Sequence, residues 1–494
     1  MTKPLFLGID TGTQSTKALL VDVLGEGEAA TRVLARAKAP HTLIEGLGPG
    51  VMEQPPAMWW DAVCAVTREL AAHPLALRRG IGGIGVSGQQ HGFVPLDARG
   101  AVIRPAKLWC DTSTAAEADD LSQRLGRRIP AGFTASKILW LLRHEPENAA
   151  RLAHVLLPHD YVNWKLTGRM WMECGDASGT GFFDVRARRF DAASCAAIHE
   201  RLMGLLPELL PAEAVGGWLT RAAALATGLP EGTPVSVGGG DNMLSAIGAG
   251  AAADGPVVAS LGTSATVMSR ASAAVIDPAG LVAPFCDSTG AWLPLLCVMN
   301  AAGALDQMAA TLGASTEQCC GEAATAPRGA GGILCLPFFS GERVPDLPRA
   351  TARFDGLRPD NATRPLIFRA VLEGITCNLS LGIRRLQALG VPVNELRLVG
   401  GGARFPLWRQ LLADATGVPV VRPVEAESAA LGAAVQAAFA AGGGKTPIAE
   451  LARRCIALHA VVDEPDAGAA PFWDEQRARF TVSVREHFGV DAAS

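Results

Sequence analysis

The feature that most constrains the fold is a turn that occurs twice. Residues Phe6–Lys17 read Phe-Leu-Gly-Ile-Asp-Thr-Gly-Thr-Gln-Ser-Thr-Lys, an apolar run entering a Gly/Thr/Ser turn, and a second apolar run, Ala18–Val23, leaves it. Pro256–Met268 repeats the pattern as Pro-Val-Val-Ala-Ser-Leu-Gly-Thr-Ser-Ala-Thr-Val-Met. Each reads as strand, turn, strand. A single such turn is common, and the bland reading of Asp10 is a turn-capping carboxylate. Two of them half a chain apart, each heading strands and then helices, predict a duplicated α/β domain. Glycine lets the turn backbone approach a ligand, and its N–H groups and hydroxyls suit anionic oxygens. A carboxylate belongs beside such a site when a divalent metal lies between it and a phosphate. Ser260 stands in the second copy where the first has Asp10, so the metal side is assigned to Asp10.

Composition narrows the class. At 494 residues the chain exceeds one ordinary core. With 49% hydrophobic and 19% charged residues it has ample core material. A net charge of -4 gives no basic field for nucleic acid, so no nucleic-acid partner is expected. Eleven cysteines without Cys-x-x-Cys pairs read as free thiols in a reducing cytoplasm. The first strand starts within a few residues of the N-terminus, so no signal peptide is expected. Apolar stretches such as Ile247–Ala252 are interrupted early, so no membrane span is expected either.

Several further segments carry polar residues at strand ends, where open α/β sheets bind ligands. Gly80–Val86 reads as a strand ending in Ser87-Gly88-Gln89-Gln90-His91-Gly92, and Leu108-Trp109-Cys110-Asp111 precedes a helix through Leu125. Phe133–Arg143 reads as a helix behind a Thr cap. Thr233–Val237 runs into Gly238-Gly239-Gly240-Asp241-Asn242 and a small-residue helix. Glu395–Val399 stops at Gly400-Gly401-Gly402-Ala403-Arg404, and Thr363–Leu389 is one long helix. Helices are also expected over Ala57–His73 and Ala192–Leu206. Ala441–Gly444 marks the end of the core, and the last fifty residues are expected to be helical, peripheral and laid over the first domain.

Each candidate has a bland counterpart. Asp241 is a natural helix N-cap, a role compatible with catalysis, because the helix dipole favours an ionised carboxylate. An unshifted Asp is already ionised at neutral pH, so no raised pKa is required of it. His91 could be a satisfied loop histidine, but Gln89 and Gln90 beside it favour hydroxyl binding. Trp109 is either core or a stacking face. Glu342 and Arg343 are expected to pair with each other, and Arg404 to be a solvated or inter-loop charge. Cys174, Cys297 and Cys335 read as core residues rather than nucleophiles.

Taken in order, Gly8–Lys17, Gly88–Gly92, Gly238–Asn242, Ser260–Ser264 and Val399–Ala403 make the chain resemble the FGGY carbohydrate kinases, of the sugar kinase, actin and heat-shock-protein ATPase superfamily. Within that family it is most similar to the xylulokinase branch, through Gly-Gln-Gln-His-Gly at 88–92, Leu-Trp-Cys-Asp at 108–111, Pro-Ala-Gly-Phe-Thr at 130–134, Leu-Pro-His-Asp-Tyr at 157–161 and Leu-Pro-Phe-Phe-Ser-Gly-Glu-Arg at 336–343. The likeness runs from about residue 5 to 440. It implies two duplicated ribonuclease-H-like domains of the actin/hexokinase type around a catalytic cleft. Residues 1–250 would be the sugar and metal side, 251–445 the nucleotide side, and 446–494 a helical extension.

The resemblance also implies ATP and Mg2+ as cofactors, a small-molecule sugar as substrate and a cytoplasmic location, and leaves a homodimer open. Asp241 would be the general base, with Asp10 at the metal and phosphates. Gln90, His91, Asn242, Asp241 and Trp109 would hold the sugar. Thr11, Gly12, Thr13, Gly262 and Thr263 would contact phosphate, and Gly401, Gly402 and Phe405 would line the adenosine pocket. Phe405 stands where the family often has a polar residue. The alternatives are a kinase of ribulose, gluconate or a polyol such as glycerol, an ATPase of the actin or chaperone type without sugar substrate, and a non-catalytic sugar sensor.

Overall fold

The computed structural model describes residues 3–28 and 32–492. The chain folds as two mixed β-sheets with helices on their faces, one sheet in each half. In the first half lie β1 (Leu5–Thr11), β2 (Ser15–Val21), β3 (Val33–Pro40), β4 (Ile81–Gly88), β5 (Val215–Trp218) and β6 (Pro234–Ser236), in the spatial order β5-β6-β4-β1-β2-β3, with β7 (Gly239–Gly240) on the end of β4. In the second lie β8 (Gly255–Leu261), β9 (Ala265–Ser269), β10 (Ala283–Cys286), β11 (Trp292–Val298), β12 (Val393–Val399) and β13 (Val420–Val421), in the order β10-β11-β9-β8-β12-β13. Both sheets follow one plan. β1 pairs antiparallel with β2 and parallel with β4, and β8 pairs antiparallel with β9 and parallel with β12. Even the turns match: Gly12 N donates to Ser15 O at 3.1 Å, and Gly262 N to Ser264 O at 3.0 Å. The expected duplicated ribonuclease-H-like α/β architecture is the one found.

The alternation along β1 explains how the sheet is covered. Leu5, Leu7 and Ile9 pack against Trp59, Val63, Val66 and Leu70 of α1 (Pro56–Ala71), whose spacing of three and four gives one helical face. The helix expected over Ala57–His73 is the one found, ending at Ala71, and Pro74 then opens a separate short helix, Pro74–Arg79. The expected helix over 192–206 stops at Ile198. α2 (Thr134–His144) has Phe133 at its N-cap, and the Thr134 hydroxyl donates to His91 O at 3.1 Å rather than capping the helix.

The opposite face of β1 carries Phe6, Gly8 and Asp10. Three helices join the halves there: α3 (Asp241–Gly248) and, after α4 (Arg364–Ala388) of the second half, α5 (Ser428–Ala441) and α6 (Ile448–Cys455). α5 lies on the first sheet at backbone contact. A Cβ on Gly8 would stand 1.8 Å from Ala430 O, and one on Gly85 2.0 Å from Ala433 O. α3 and α5 cross just as closely, since a Cβ on Gly432 would be 1.9 Å from Leu244 O. Small residues are therefore needed at these crossings.

The last segment departs from expectation. α6 packs beside Phe6, Val21 and Val23 of the first half, but α7 (Ala470–Phe488) sends Trp473, Phe480 and Val484 into the core of the second. It is a core element there, not a peripheral one laid over the first domain. α4 is the one described helix long and apolar enough to cross a membrane, and 89% of its apolar stretch is buried inside the protein.

Candidate active site

The site is built where three strand ends come level. Asp10 pairs with Ser87 in the β1–β4 register, and Ser87 pairs with Gly239 in the β4–β7 register. Asp10, the loop after Ser87 and the head of α3 therefore share one edge of the sheet. Asp10 Oδ1 accepts from the Ser87 hydroxyl at 2.8 Å, and burial raises its pKa.

Asp241 is the first residue of α3, and its Oδ1 accepts from Asn242 N at 2.8 Å. Burial pushes this carboxyl up to about 8, reinforced by the charges of Asp10 and Asp176. The expectation of an unshifted Asp241 is corrected by this environment: the half-buried carboxyl is partly desolvated and has the charges of Asp10 and Asp176 beside it.

Asn242 binds the two halves and the loop together. Its Nδ2 donates to Gln90 Oε1 at 2.6 Å, and its Oδ1 accepts from Thr266 of β9 at 3.3 Å. Gln90 Nε2 is buried without a hydrogen-bond partner. So is Nδ1 of His91, which lies 4.0 Å from Asp176 Oδ1. Buried donors are normally satisfied, so two orphans at one place mark where a polar ligand docks.

The His91 backbone is left-handed (φ 61°), and its ring lies between Phe133 at 4.9 Å and Phe285 of β10 at 5.7 Å. Burial drives its pKa down to about 4, so the imidazole is neutral. Behind it, His159 lies 2.9 Å from both Asp176 and Asp160. Burial opposes charge on His159, but Asp160 and Asp176 outweigh it and hold its pKa well above the ordinary value.

The first turn is tied to this loop. Thr13 Oγ1 donates to Gln89 Oε1 at 2.9 Å and accepts from Trp109 Nε1 at 3.0 Å. Gln54 holds Thr13 O at 2.7 Å, and Thr11 O accepts from Gln89 N at 2.9 Å. The Thr13 hydroxyl thus links turn and loop. Trp109 is 41% exposed, so its ring offers a face to solvent rather than filling core.

In the second half, Gly262 O and Thr263 O accept from Ala302 N at 2.9 Å and Gly303 N at 3.2 Å, and the Thr263 side chain is exposed. The remaining nucleotide candidates separate. Gly401 faces open space, whereas a Cβ on Gly402 would meet Trp408 at 2.4 Å. Phe405 is buried in the second core with the Arg404 guanidinium over its ring at 4.7 Å. Its apolar character follows from that core position. Arg404 pairs with Glu317 at 2.6 Å, as an inter-element charge should.

Sequence reasoning missed Ser87, Thr266, Asp176 and the aromatic walls Phe133 and Phe285. Ser87 was legible as a polar strand end. Asp176 lies in the short helix Cys174–Ala177, which carries no local signal of a site. Thr266 and Phe285 come from the other half, and only tertiary structure brings them in.

Strand-end carboxylates, unpartnered buried polar groups and paired Gly/Thr turns together suit a two-domain phosphotransferase. Residues 5–248 match the N-terminal domain and residues 257–441 the C-terminal domain of the FGGY family of carbohydrate kinases, and the chain belongs to that family. It is 39% identical over 457 residues to the xylulose kinase of Haemophilus influenzae, covering 89% of this chain and 92% of that one. Among solved structures it is similar to a xyloylose kinase from Brucella ovis (TM-score 0.91, 32% identity, 99% of this chain and 100% of that one). It is also similar to the xylulose kinase from Rhodospirillum rubrum (TM-score 0.89, 30% identity, 98% of each).

Proposed function

We propose that the protein transfers the γ-phosphoryl group of ATP to D-xylulose, giving D-xylulose 5-phosphate. The observation that carries this reading is the convergence of Asp10 and Asp241 on a niche where Gln90 Nε2 and His91 Nδ1 stand unpartnered. The choice of sugar is supported by the xylulose kinases to which the chain is similar over about nine-tenths of its length.

Gln90, His91 and Asn242 hold the sugar hydroxyls, with Trp109 along its face. Neutral His91 both donates and accepts, as a hydroxyl partner must. Asp241 takes the proton of the terminal hydroxyl while that oxygen attacks the γ-phosphorus in line. The bond from that phosphorus to the bridging oxygen breaks, and the electron pair leaves with ADP. The turns Thr11–Thr13 in one half and Gly262–Thr263 in the other face the phosphates; the N–H groups of Gly12 and Gly262 close the turns themselves, with Thr11 buried behind, so contact falls to the Thr13 N–H and to the N–H and exposed hydroxyl of Thr263. Gly401, Gly402 and Phe405 flank the adenosine, with Phe405 acting from the core beneath rather than by direct polar contact. Residues 1–250 then form the sugar side and 251–445 the nucleotide side, while 446–494 stiffen both.

Asp10 fits Mg2+. No group of three or more His, Cys, Asp or Glu among the described residues forms a metal cage. Mg2+ in phosphoryl transfer needs only one or two carboxylates, with waters and phosphate oxygens completing its shell. Bound there, it neutralises charge on the phosphates. Closure of the halves excludes water, whose attack would hydrolyse ATP.

Coupled ADP detection with D-xylulose, ribulose, gluconate and glycerol tests the reading. D-xylulose should give the highest kcat/KM. Preference for another member of the panel would reassign the substrate, and sugar-independent ATP hydrolysis at the same rate would point to the ATPase alternative.

A further inference from the structure

The motif Gly341-Glu342-Arg343 does something other than pair with itself. Glu342 is buried, and its carboxylate accepts from Met299 N at 2.6 Å, Arg343 N at 2.8 Å and Asn300 Nδ2 at 3.1 Å. Nothing of it is left for the Arg343 side chain. The same residue closes a tight loop: Glu342 N donates to Leu347 O at 2.8 Å, and Leu347 N to Glu342 O at 2.9 Å. At the loop tip Asp346 reaches the other half, 3.1 Å from Arg128. Arg343 is therefore presented from a loop anchored on both sides of the cleft.

Its guanidinium rests on the second sheet, with Nη1 3.8 Å from Cys297 Sγ. Cys297 pairs with Thr266 in the β9–β11 register, so the two side chains share a face. Thr266 is the residue that donates to Asn242, beside Asp241. On the adjoining strand β10, Phe285 touches His91. Arg343 thus stands over the sheet face that walls the sugar niche, and its charge, after burial and alongside Lys137, helps to keep His91 neutral.

Lys17, Lys107 and Lys137 are engaged elsewhere. Lys17 pairs with Glu427 at 2.6 Å and Lys107 with Glu53 at 3.0 Å. Lys137 donates to the carbonyls of Ala131, Gly132 and Phe133. Arg343 is exposed and has no ion pair among the described residues. A site holding Asp10 and Asp241 repels a phosphoryl group moving onto the sugar, and a guanidinium fork is the side chain best suited to offset that.

We propose that Arg343 contacts the phosphoryl group as it passes from nucleotide to sugar, and so is an anion-binding residue contributed by the second half. This rests on the kinase reading above. The test compares wild type, R343Q and R343K with D-xylulose and ATP, and measures inhibition by added D-xylulose 5-phosphate. R343Q should lower kcat about 10²-fold, with both KM values within about threefold of wild type. Product inhibition should weaken about tenfold or more, since a charge-assisted contact to the phosphate is lost. R343K, which keeps the charge without the fork, should recover part of both effects. Unchanged kcat and product inhibition in a folded R343Q would overturn the inference and leave the kinase reading intact. A wild type that phosphorylates no sugar would overturn both. If R343Q does not fold, R343K decides: wild-type kcat and product inhibition refute the contact, and a drop in kcat of about tenfold with unchanged KM supports it.

Discussion

Gln436 holds Gly238 by both of its backbone groups: Gly238 N donates to Gln436 Oε1 at 3.0 Å, and Gln436 Nε2 donates to Gly238 O at 2.8 Å. The glutamine lies on α5, and Gly238 opens the triple glycine that delivers Asp241. Ser236 adds its hydroxyl to the same Oε1 at 2.9 Å. A residue 195 positions after Asp241 thus fixes where that carboxylate stands.

Replacing Gln436 by Leu leaves the buried groups of Gly238 and Ser236 without partners. Each orphaned group costs about 1–3 kcal/mol, so Q436L should lose at least about 2 kcal/mol of stability. kcat should fall with it, because Asp241 is no longer fixed. Thermal denaturation and steady-state kinetics of one preparation check both effects.

The crossing of α3 and α5 makes a second prediction. In G432A the new methyl meets the Leu244 backbone oxygen, which has no rotamer by which to withdraw. Overpacking of this kind costs about 1–3 kcal/mol or more. G432A should have a lower Tm, while G401A, facing open space, should keep the wild-type Tm.

His91 gives a third. Its buried imidazole contacts the proposed sugar, and with its pKa near 4 it stays neutral through the working range. H91A should raise the sugar KM more than tenfold, about the 1.4 kcal/mol expected for a lost buried hydrogen bond, and leave the ATP KM near wild type. No inflection of the pH profile between 5 and 8 should vanish with it, a point settled by comparing the two profiles.

The elevated pKa of Asp241 fixes the sign of the pH dependence. A general base acts deprotonated, so sugar kcat/KM should rise with pH and level off near 8 for the free enzyme. Stability should move the other way. A carboxyl raised from 3.8 to about 8 by folding makes the native state bind the extra proton, so its contribution is full below pH 3.8 and is lost as pH rises through about 8. D241N removes this term. Its Tm advantage over wild type should therefore grow from pH 4 to pH 8 and stay level above, as a calorimetric pH series would record.

Much of this was legible in the residues. The twin turns gave the duplication because a Gly/Thr hairpin has a local signature, and Asp10, Gln90, His91, Asp241 and Asn242 all lie at polar strand or loop ends with local Gly punctuation. Asn242 and Gln90 do meet. What was not legible is what crosses the interface. Gln436 looks like any small-helix glutamine until α5 lies on the first sheet. Phe405 reads as an exposed pocket residue until the second core closes around it. Asp241 looks unshifted until burial and two neighbouring carboxylates are in place. Arg343 looked paired because Glu342 is its neighbour in sequence, yet backbone amides and Asn300 take that carboxylate.

The central claim is that Asp241 accepts the proton of the sugar hydroxyl. The most direct measurement is sugar-dependent ADP release by Asp241→Ala, alongside ATP binding by the same sample. Turnover should fall by about 10²–10⁴-fold, the usual scale of a lost general base, with ATP bound as by wild type. Near-normal turnover in that variant would contradict the account.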